Sequence, residues 1–446
     1  MRTRTTALAV GTVAAVAGSL TALTFLTSST TASADLAGSP GSGQSVVDWN
    51  ARLVSILGTA GAQPAAVHPT RSFAMLQAAE YNAVVLVTHA APAYHSQLNE
   101  PGDARPDVAA DQAAHDVLVA LYPARKSDLD WQLTTELEAV ADGTPKSHGV
   151  DVGVAVAQQI IALRAADGSG TPAPAFVAGG QPGDYRPTPP KFPAPAYTGW
   201  GDVIPFLTDS ARQFRPAPPP SVGSTEYAAA LAEVRDLGRD TSTTRTADQT
   251  VAGTFWSGTP IWITWNQVAQ QLTTDRKASL AQATATFAAM DLALADTTIA
   301  LYSAKYDDHV WRPVTAIQQG GGSADPAMAA DPTWNPLTPT APDPSYPGAH
   351  SALSAAAADV LTGSFGTGQA LTVTSAAAPG VTRHFATLDA AADEAGLSRI
   401  WSGQHTRLDH AAGQQLGRQV ADLVLRAVPL PAGPLPAGPL PGGNAY

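Results

Sequence analysis

The chain has 446 residues, of which 44% are hydrophobic and 14% are charged, and it contains no cysteine. This length and apolar content allow a sizeable core, and they exclude the low-hydrophobicity, high-charge composition of a disordered chain. The formal net charge of −12 disfavours non-specific binding to nucleic acid or to anionic membranes, since both depend on positive patches. A site for an anion must therefore concentrate its cations locally, against the charge of the whole chain.

The first 34 residues have the pattern of an export signal. Two arginines precede an uncharged apolar stretch at residues 7–26, and residues 32–34 read Ala-Ser-Ala. We therefore expect a secreted protein with cleavage after Ala34. The alternative is an uncleaved N-terminal anchor, because the apolar stretch is long for a signal. No later apolar run reaches the length of about 18 residues that a membrane span requires, so none is expected in the mature chain.

Helix is the dominant signal along the rest of the chain. Six segments are rich in Ala, Leu, Gln and Glu and repeat apolar residues at three- and four-residue spacing, which predicts helices. These segments are residues 72–88, 111–121, 127–140, 150–166, 226–237 and 277–305. Runs in which apolar and polar residues alternate strictly are short and isolated, so we predict an all-α fold without a sizeable sheet. Two long loops, residues 320–347 and 366–382, flank the candidate site residues, as functional loops often do.

Composition divides the mature chain into three parts. Residues 35–245 form an N-terminal helical region, which includes a Pro- and Gly-rich segment at 168–220. That segment has too many aromatic residues for a linker, and we interpret it as an ordered wrap over the helices. Residues 246–428 form a second helical region. The tail at 429–446 repeats Pro-Leu-Pro-Ala-Gly, which favours extended polyproline conformation and predicts a disordered end.

The first segment with candidate chemistry contains Lys305 and Arg312, followed by Pro313. A spacing of seven residues is close to two helical turns, so both cations are expected on one helix face, with Pro313 at the helix end. Two stacked cations repel unless an anion or a carboxylate lies between them. The alternative pairs them with Asp307 or Asp308 on a solvated face.

The second segment is a turn rich in Pro and Gly that ends in Gly348, Ala349 and His350, followed by a helical run at residues 352–361. The start of a helix presents free backbone N–H groups and therefore favours anions, and His350 would lie beside this one. Many loops enter helices in this way, so the segment alone has little specificity.

The third segment contains Arg399, His405 and Asp409. On a helix, residues His405 and Asp409 are four apart, so the carboxylate can accept the proton of one imidazole nitrogen and leave the other nitrogen free. Arg399 just before this helix adds a guanidinium suited to two-pronged contacts with an oxyanion. The alternative is an exposed His–Asp pair that only stabilises the helix.

Together the three segments resemble the signature shared by vanadium-dependent haloperoxidases, type-2 phosphatidic acid phosphatases and bacterial acid phosphatases. That signature reads Lys, six residues, Arg-Pro; then Pro-Ser-Gly-His; then Ser-Arg, five residues, His, three residues, Asp. The first and third segments match at every defined position, and the order and separations of all three also fit. Each segment alone is a weak signal, but the ordered set of three is a specific one.

The resemblance implies a role for each cation and for the His–Asp pair. Lys305, Arg312 and Arg399 would neutralise the equatorial oxygens of vanadate or phosphate. His405 would be the axial vanadate ligand, or the nucleophile of a phosphatase. Asp409 would orient His405.

In the second segment the resemblance implies that His350 is the acid–base group and that the N–H of Gly348 or Ala349 contacts an oxygen. Here the chain departs from the family, which usually has Ser-Gly before the His where this chain has Gly348-Ala349. The serine hydroxyl that would contact the oxyanion is missing, at a cost of roughly 1–3 kcal/mol. We expect this departure to affect the level of activity and the range of halides rather than the site itself.

The resemblance also favours two packed helical bundles, with the active site in the C-terminal bundle. Three functions stay open. The chain is expected to be a secreted haloperoxidase with a vanadate cofactor, which uses hydrogen peroxide to oxidise halide for a small organic acceptor. The alternative is a secreted phosphatase that hydrolyses phosphate esters with the His nucleophile and no vanadate. The third is a non-enzymatic oxyanion-binding protein.

Overall fold

The computed structural model describes residues 41–99, 101–320 and 328–431. The expected export signal at residues 1–34 and all but the first residues of the Pro-rich tail therefore lie outside the described residues. The described part belongs to one compact unit. The predicted boundary between residues 245 and 246 stays a prediction.

The fold is all-α, as the periodicity predicts. The described residues contain thirteen α-helices, two short 3₁₀ turns (Pro123–Arg125 and Trp200–Asp202) and one small hairpin. The helices are α1 (Gln44–Leu57), α2 (Thr70–Thr88), α3 (Pro106–Leu121), α4 (Lys126–Glu138), α5 (Thr144–Arg164), α6 (Thr225–Leu237), α7 (Ala247–Phe255), α8 (Ile261–Asp275), α9 (Leu280–Asp308), α10 (Pro313–Gln319), α11 (Ala349–Phe365), α12 (Leu388–Trp401) and α13 (Arg407–Ala427).

The long helix α9 is the centre of the molecule. It packs against α2 from the N-terminal half of the chain and against α11 and α13 from the C-terminal half. All its residues from Leu280 to Lys305 are buried except Ala281. By length and composition α9 could cross a membrane, but its most apolar eighteen-residue window, with mean hydropathy 1.2, is 100% buried inside the protein. It is therefore a core helix, and Lys305 near its C-terminal end is buried as well.

The Pro-rich segment at residues 168–220 crosses one side of α9. The carboxylate of Asp296 on α9 accepts hydrogen bonds from the backbone N–H groups of Phe206, Leu207 and Thr208, at 2.6–2.8 Å. Close packing also requires Gly201, because a Cβ atom there would lie 2.6 Å from the Cα atom of Ser303. The segment thus covers the end of α9 that carries Lys305.

One expected loop contains regular structure instead. Residues 366–382 include a strand, β1 (Leu371–Thr374), which pairs antiparallel with β2 (Thr382–Phe385). The sequence Leu-Thr-Val-Thr alternates buried and exposed side chains along β1. Four residues are too short for periodicity to separate a strand from a loop, and only the pairing with β2 makes the pattern significant.

The stability of this core depends on pH through Asp291, in the middle of α9. Its Oδ1 accepts a hydrogen bond from Asn266 Nδ2 at 3.0 Å, while Oδ2 is buried without a partner among the described residues. Burial raises the pKa of Asp291 from 3.8 to about 8. The carboxyl is therefore protonated in the folded protein but ionised in the unfolded chain between these two pH values, so a rise in pH favours unfolding.

Replacing Asp291 by asparagine should remove this pH dependence while keeping the hydrogen bond. The stability of Asp291→Asn relative to wild type should grow as pH rises from 4 to 8, by up to roughly 1.4 kcal/mol per pH unit. Urea unfolding at a series of pH values would measure this, with the exposed Asp151→Asn as the matched control. Parallel stability curves for wild type and Asp291→Asn would contradict the prediction.

Candidate active site

Lys305 and Arg312 meet as the sequence indicates, but not on one helix. Helix α9 ends at Asp308, with a left-handed residue at His309, and Arg312 is the N-terminal cap of α10. The expectation that Pro313 ends the first helix is wrong: it is the first residue of α10, a position where the missing N–H of proline has no consequence. A sharp turn, rather than two turns of one helix, brings the cations together.

A carboxylate lies between the two cations. Asp343 Oδ1 is 2.9 Å from Lys305 Nζ and 2.7 Å from Arg312 Nη2. Both cations are buried, with 0% and 1% of their surface exposed. Burial alone would raise the pKa of Asp343, but the charges of Lys305 and Arg312 outweigh it and lower the pKa to about 2. Burial and the charge of Arg312 lower the pKa of Lys305 to about 8, although Asp343 opposes this shift.

His405 lies at the other side of Arg312 rather than on a helix. It belongs to the turn before α13, whose N-terminal cap is Thr406, so the predicted helical spacing of His405 and Asp409 is wrong. The two side chains nevertheless face each other, with His405 Nδ1 3.4 Å from Asp409 Oδ2. That carboxylate also accepts hydrogen bonds from Thr406 N at 2.7 Å and Ser345 Oγ at 2.8 Å.

The tautomer of His405 follows from its neighbours. Its Nε2 is 3.2 Å from Arg312 Nη1, and a guanidinium can only donate hydrogen bonds. Nε2 therefore carries the lone pair, and the proton resides on Nδ1, beside Asp409. Burial and the charge of Arg312 lower the pKa of His405 to about 3. The imidazole is neutral at physiological pH and can act as a nucleophile or a ligand through Nε2.

The C-terminal end of α7 positions two further residues of the predicted site. Arg399, which lies inside α12 rather than before a helix, donates from Nη1 to Ser257 Oγ at 2.6 Å. The partly buried His350 donates from Nε2 to the carbonyl oxygen of Trp256 at 3.0 Å, so its Nδ1 carries the lone pair. Burial and the charge of Arg399 lower the pKa of His350 well below its usual value.

In the turn before α11, only one of the two backbone N–H groups predicted to contact an oxyanion is available. The N–H of Gly348 donates to the carbonyl oxygen of Asp409 at 2.8 Å. Helix α11 begins at Ala349 without a side-chain cap, so the first-turn N–H groups have no partner within the helix. Of the two predicted backbone contacts, that of Ala349 is therefore the one available to an oxyanion.

The variant Gly348→Ser tests whether a serine hydroxyl at this position contacts the bound oxyanion. A Cβ atom on Gly348 would lie 3.1 Å from the carbonyl oxygen of Asp409, so any side chain requires a small shift. Gly348→Ala is the matched control because it brings the same Cβ atom. By calorimetry, we expect Gly348→Ser to bind phosphate more tightly than Gly348→Ala, by about 1 kcal/mol or roughly fivefold. Equal affinities would show that a hydroxyl at this position does not reach the oxyanion.

Comparisons with known proteins give the family that the chain is similar to. The family model of the VCPO second helical-bundle domain matches residues 285–430, a range that includes every residue of the predicted site. A bacterial vanadium-dependent iodoperoxidase of known structure is similar over 86% of this chain and 96% of its own, with 25% identity and a TM-score of 0.75. These matches are consistent with the superfamily of vanadium-dependent haloperoxidases and type-2 phosphatidic acid phosphatases.

Two other solved structures, with lower sequence identity, share the fold. A bacterial vanadium-dependent chloroperoxidase, in its apo form, matches 81% of this chain and 94% of its own, with 16% identity and a TM-score of 0.63. The holo form of such an enzyme gives 17% identity and a TM-score of 0.61, over 88% of this chain and 93% of its own. A search of curated protein sequences gives no match.

The residues present fit a vanadate ion, the cofactor of the haloperoxidases in this superfamily. Lys305, Arg312 and Arg399 are buried cations in a chain whose net charge is negative. Arg399 Nε is buried and has no hydrogen-bond partner among the described residues. Such an unpaired donor is costly unless an acceptor binds to it, and His405 Nε2 would supply a neutral nitrogen ligand.

The sequence motifs do not contain all the residues of this site. They miss Asp343, Ser345 and Ser257, and they also miss the carbonyl oxygens of Trp256 and Gln404, which accept hydrogen bonds from His350 and Arg312. Asp343 could have been noticed as the acidic residue directly before the second segment. Nothing in the sequence distinguishes the backbone acceptors, because every residue has a carbonyl group.

Proposed function

We propose that this chain is a secreted, vanadate-dependent haloperoxidase, which uses hydrogen peroxide to oxidise halide, with its active site in the C-terminal helical region. One observation carries the proposal. His405 is neutral, and its Nε2 lone pair is directed at a buried guanidinium, that of Arg312. A neutral imidazole facing buried cations suits an oxyanion that carries a Lewis-acidic centre. The likeness to a vanadium-dependent iodoperoxidase over most of the chain supports the same function.

In this function the three cations hold the oxyanion and the His–Asp pair fixes its orientation. Lys305, Arg312 and Arg399 would hold the oxygens of the ion, and His405 Nε2 would be its nitrogen ligand. Asp409 keeps the proton on Nδ1, so that Nε2 stays available. Bound vanadate would supply the Lewis acid that activates hydrogen peroxide toward halide.

In this proposal His350 moves a proton. Its Nε2–H is held by the carbonyl oxygen of Trp256, so Nδ1 is the atom that can accept a proton from peroxide. The lowered pKa of His350 keeps this nitrogen unprotonated before peroxide arrives. The N–H of Ala349 at the start of α11 would contact one oxygen of the bound ion.

A paired assay on the purified mature protein tests the proposal. One arm follows bromination of a reporter dione with peroxide, bromide and orthovanadate in phosphate-free buffer. The other follows hydrolysis of a chromogenic phosphate ester without vanadate. We expect vanadate-dependent bromination. Ester hydrolysis that vanadate inhibits, without bromination, would indicate a phosphatase instead, and inactivity in both arms would indicate a binding protein.

Secretion is tested separately: N-terminal sequencing of the exported protein should give Asp35 as its first residue.

A further inference from the structure

The proposed oxyanion site contains an anion of its own, the carboxylate of Asp343. Only 8% of the residue surface is exposed. Its Oδ1 contacts both Lys305 Nζ and Arg312 Nη2, at 2.9 Å and 2.7 Å. These are two of the three cations that would hold the oxyanion, so the carboxylate and the incoming ion require the same donors.

Protein acceptors already occupy most of these donors. The ammonium of Lys305 faces Asp343 Oδ1 and donates to the carbonyl oxygens of Pro344 and Ser345, which accounts for its three hydrogens. Arg312 donates from Nε to the carbonyl oxygen of Asp343, from Nη2 to its carboxylate, and from Nη1 to Gln404 O and His405 Nε2. An entering oxyanion must therefore displace or share contacts that the protein makes by itself.

The charges of the site lead to the same conclusion. The charge of Arg312 acts on both Lys305 and Arg399, and Asp343, which contacts Lys305 and Arg312, offsets part of this repulsion when no ion is bound. Two anions that share the same cations repel each other, and this repulsion is strong in a buried site, where water and salt screen it little. The carboxylate thus stabilises the ligand-free site and opposes the ligand-bound one.

We propose that Asp343 is a built-in competitor for Lys305 and Arg312, which weakens oxyanion binding and thereby sets the affinity of the site. The inference rests on the proposed function only in taking these residues as the oxyanion site, and it does not require peroxidase activity. It makes Asp343 an affinity-determining residue rather than a catalytic one. A role in positioning the two cations predicts the opposite effect, since its loss would weaken binding.

The test compares Asp343→Asn with wild type by calorimetric titration of inorganic phosphate and, separately, of orthovanadate. We expect Asp343→Asn to bind phosphate at least about tenfold more tightly, which corresponds to about 1.4 kcal/mol. Its ligand-free melting temperature should fall, and phosphate should raise it more than in wild type. The matched control is Asp331→Asn, which removes a carboxylate paired with Arg239 at 2.6 Å outside the site. Unchanged or weaker phosphate binding by Asp343→Asn would overturn the proposal.

Two further measurements keep the proposal testable if Asp343→Asn does not fold. Asp343→Glu keeps the charge and should bind phosphate no more tightly than wild type, and a gain would show that charge is not the cause. A crystal structure of wild type with phosphate should show the Asp343 carboxylate withdrawn from Lys305 Nζ or Arg312 Nη2. Retention of both contacts beside a bound phosphate would refute competition. Bromination without the affinity gain would refute this inference alone, whereas the gain without bromination would refute only the peroxidase function.

Discussion

His405→Ala should abolish bromination and ester hydrolysis alike, with a loss of about 10³-fold or more in whichever activity the wild type has. The reason is that Nε2 of His405 is the one atom which serves either as the vanadate ligand or as the nucleophile. The proton on Nδ1, beside Asp409, leaves the lone pair on Nε2. Alanine leaves the three cations in place, so orthovanadate and phosphate should still bind, but more weakly.

Activity measurements on His405→Ala need a test of folding and a histidine control. His405 is 5% exposed, so its truncation leaves a cavity and lowers the melting temperature by a few degrees. His384→Ala, in the exposed part of strand β2, should leave activity unchanged. If folded His405→Ala still brominated or hydrolysed esters at the wild-type rate, the assignment of the site would be wrong.

Arg312→Met should weaken phosphate and vanadate binding by about 100-fold or more, because it replaces a buried, charged donor by an unbranched apolar side chain. It also leaves Asp343 with Lys305 as its remaining cationic partner. Loss of one partner of a buried ion pair typically costs about 3–5 kcal/mol. Phosphate calorimetry and urea unfolding would measure the two effects separately.

The controls for Arg312→Met separate charge from geometry. Arg312→Lys keeps the charge but loses the fork that contacts Asp343, Gln404 and His405, so its phosphate affinity should lie between those of wild type and Arg312→Met. Arg239→Met removes a more exposed arginine, paired with Asp331, and should change unfolding by less than about 1 kcal/mol. Unaltered phosphate binding by Arg312→Met would exclude this guanidinium from the site.

Residue types and spacing predict the fold class, and the resemblance of three ordered motifs to a known family predicts the members of the site. Ala-rich segments with apolar residues at three- and four-residue intervals predict helices such as α2 and α9, which the structure contains. Some helices with fewer such signals lie outside the six segments. Helix α7 has only nine residues, and α8 opens with Ile-Trp-Ile-Thr-Trp, which does not favour a helix until it packs against α1, α9 and α11.

The motifs identify Lys305, Arg312, His350, Arg399 and His405 because a site for an anion requires cations and imidazoles whatever the backbone between them does. The geometry that relates them depends on the backbone, and here spacing misleads. The spacing of seven residues between Lys305 and Arg312 suggests two turns of one helix, but the chain turns at His309 and begins a new helix at Pro313. A spacing of four residues suggests that His405 and Asp409 lie on one face of a helix, but His405 precedes the helix that contains Asp409.

Only the tertiary structure decides which partners these side chains have. The contact of Asp343 with Lys305 and Arg312 joins residues 38 and 31 positions apart, respectively, and Arg399 finds Ser257 over 142 positions. Periodicity describes neighbours within one or two helical turns and carries no information about such distant pairs. The sequence therefore predicts an oxyanion site, and the packing of loops against α9 and α7 determines that two of its predicted cations contact the carboxylate of Asp343.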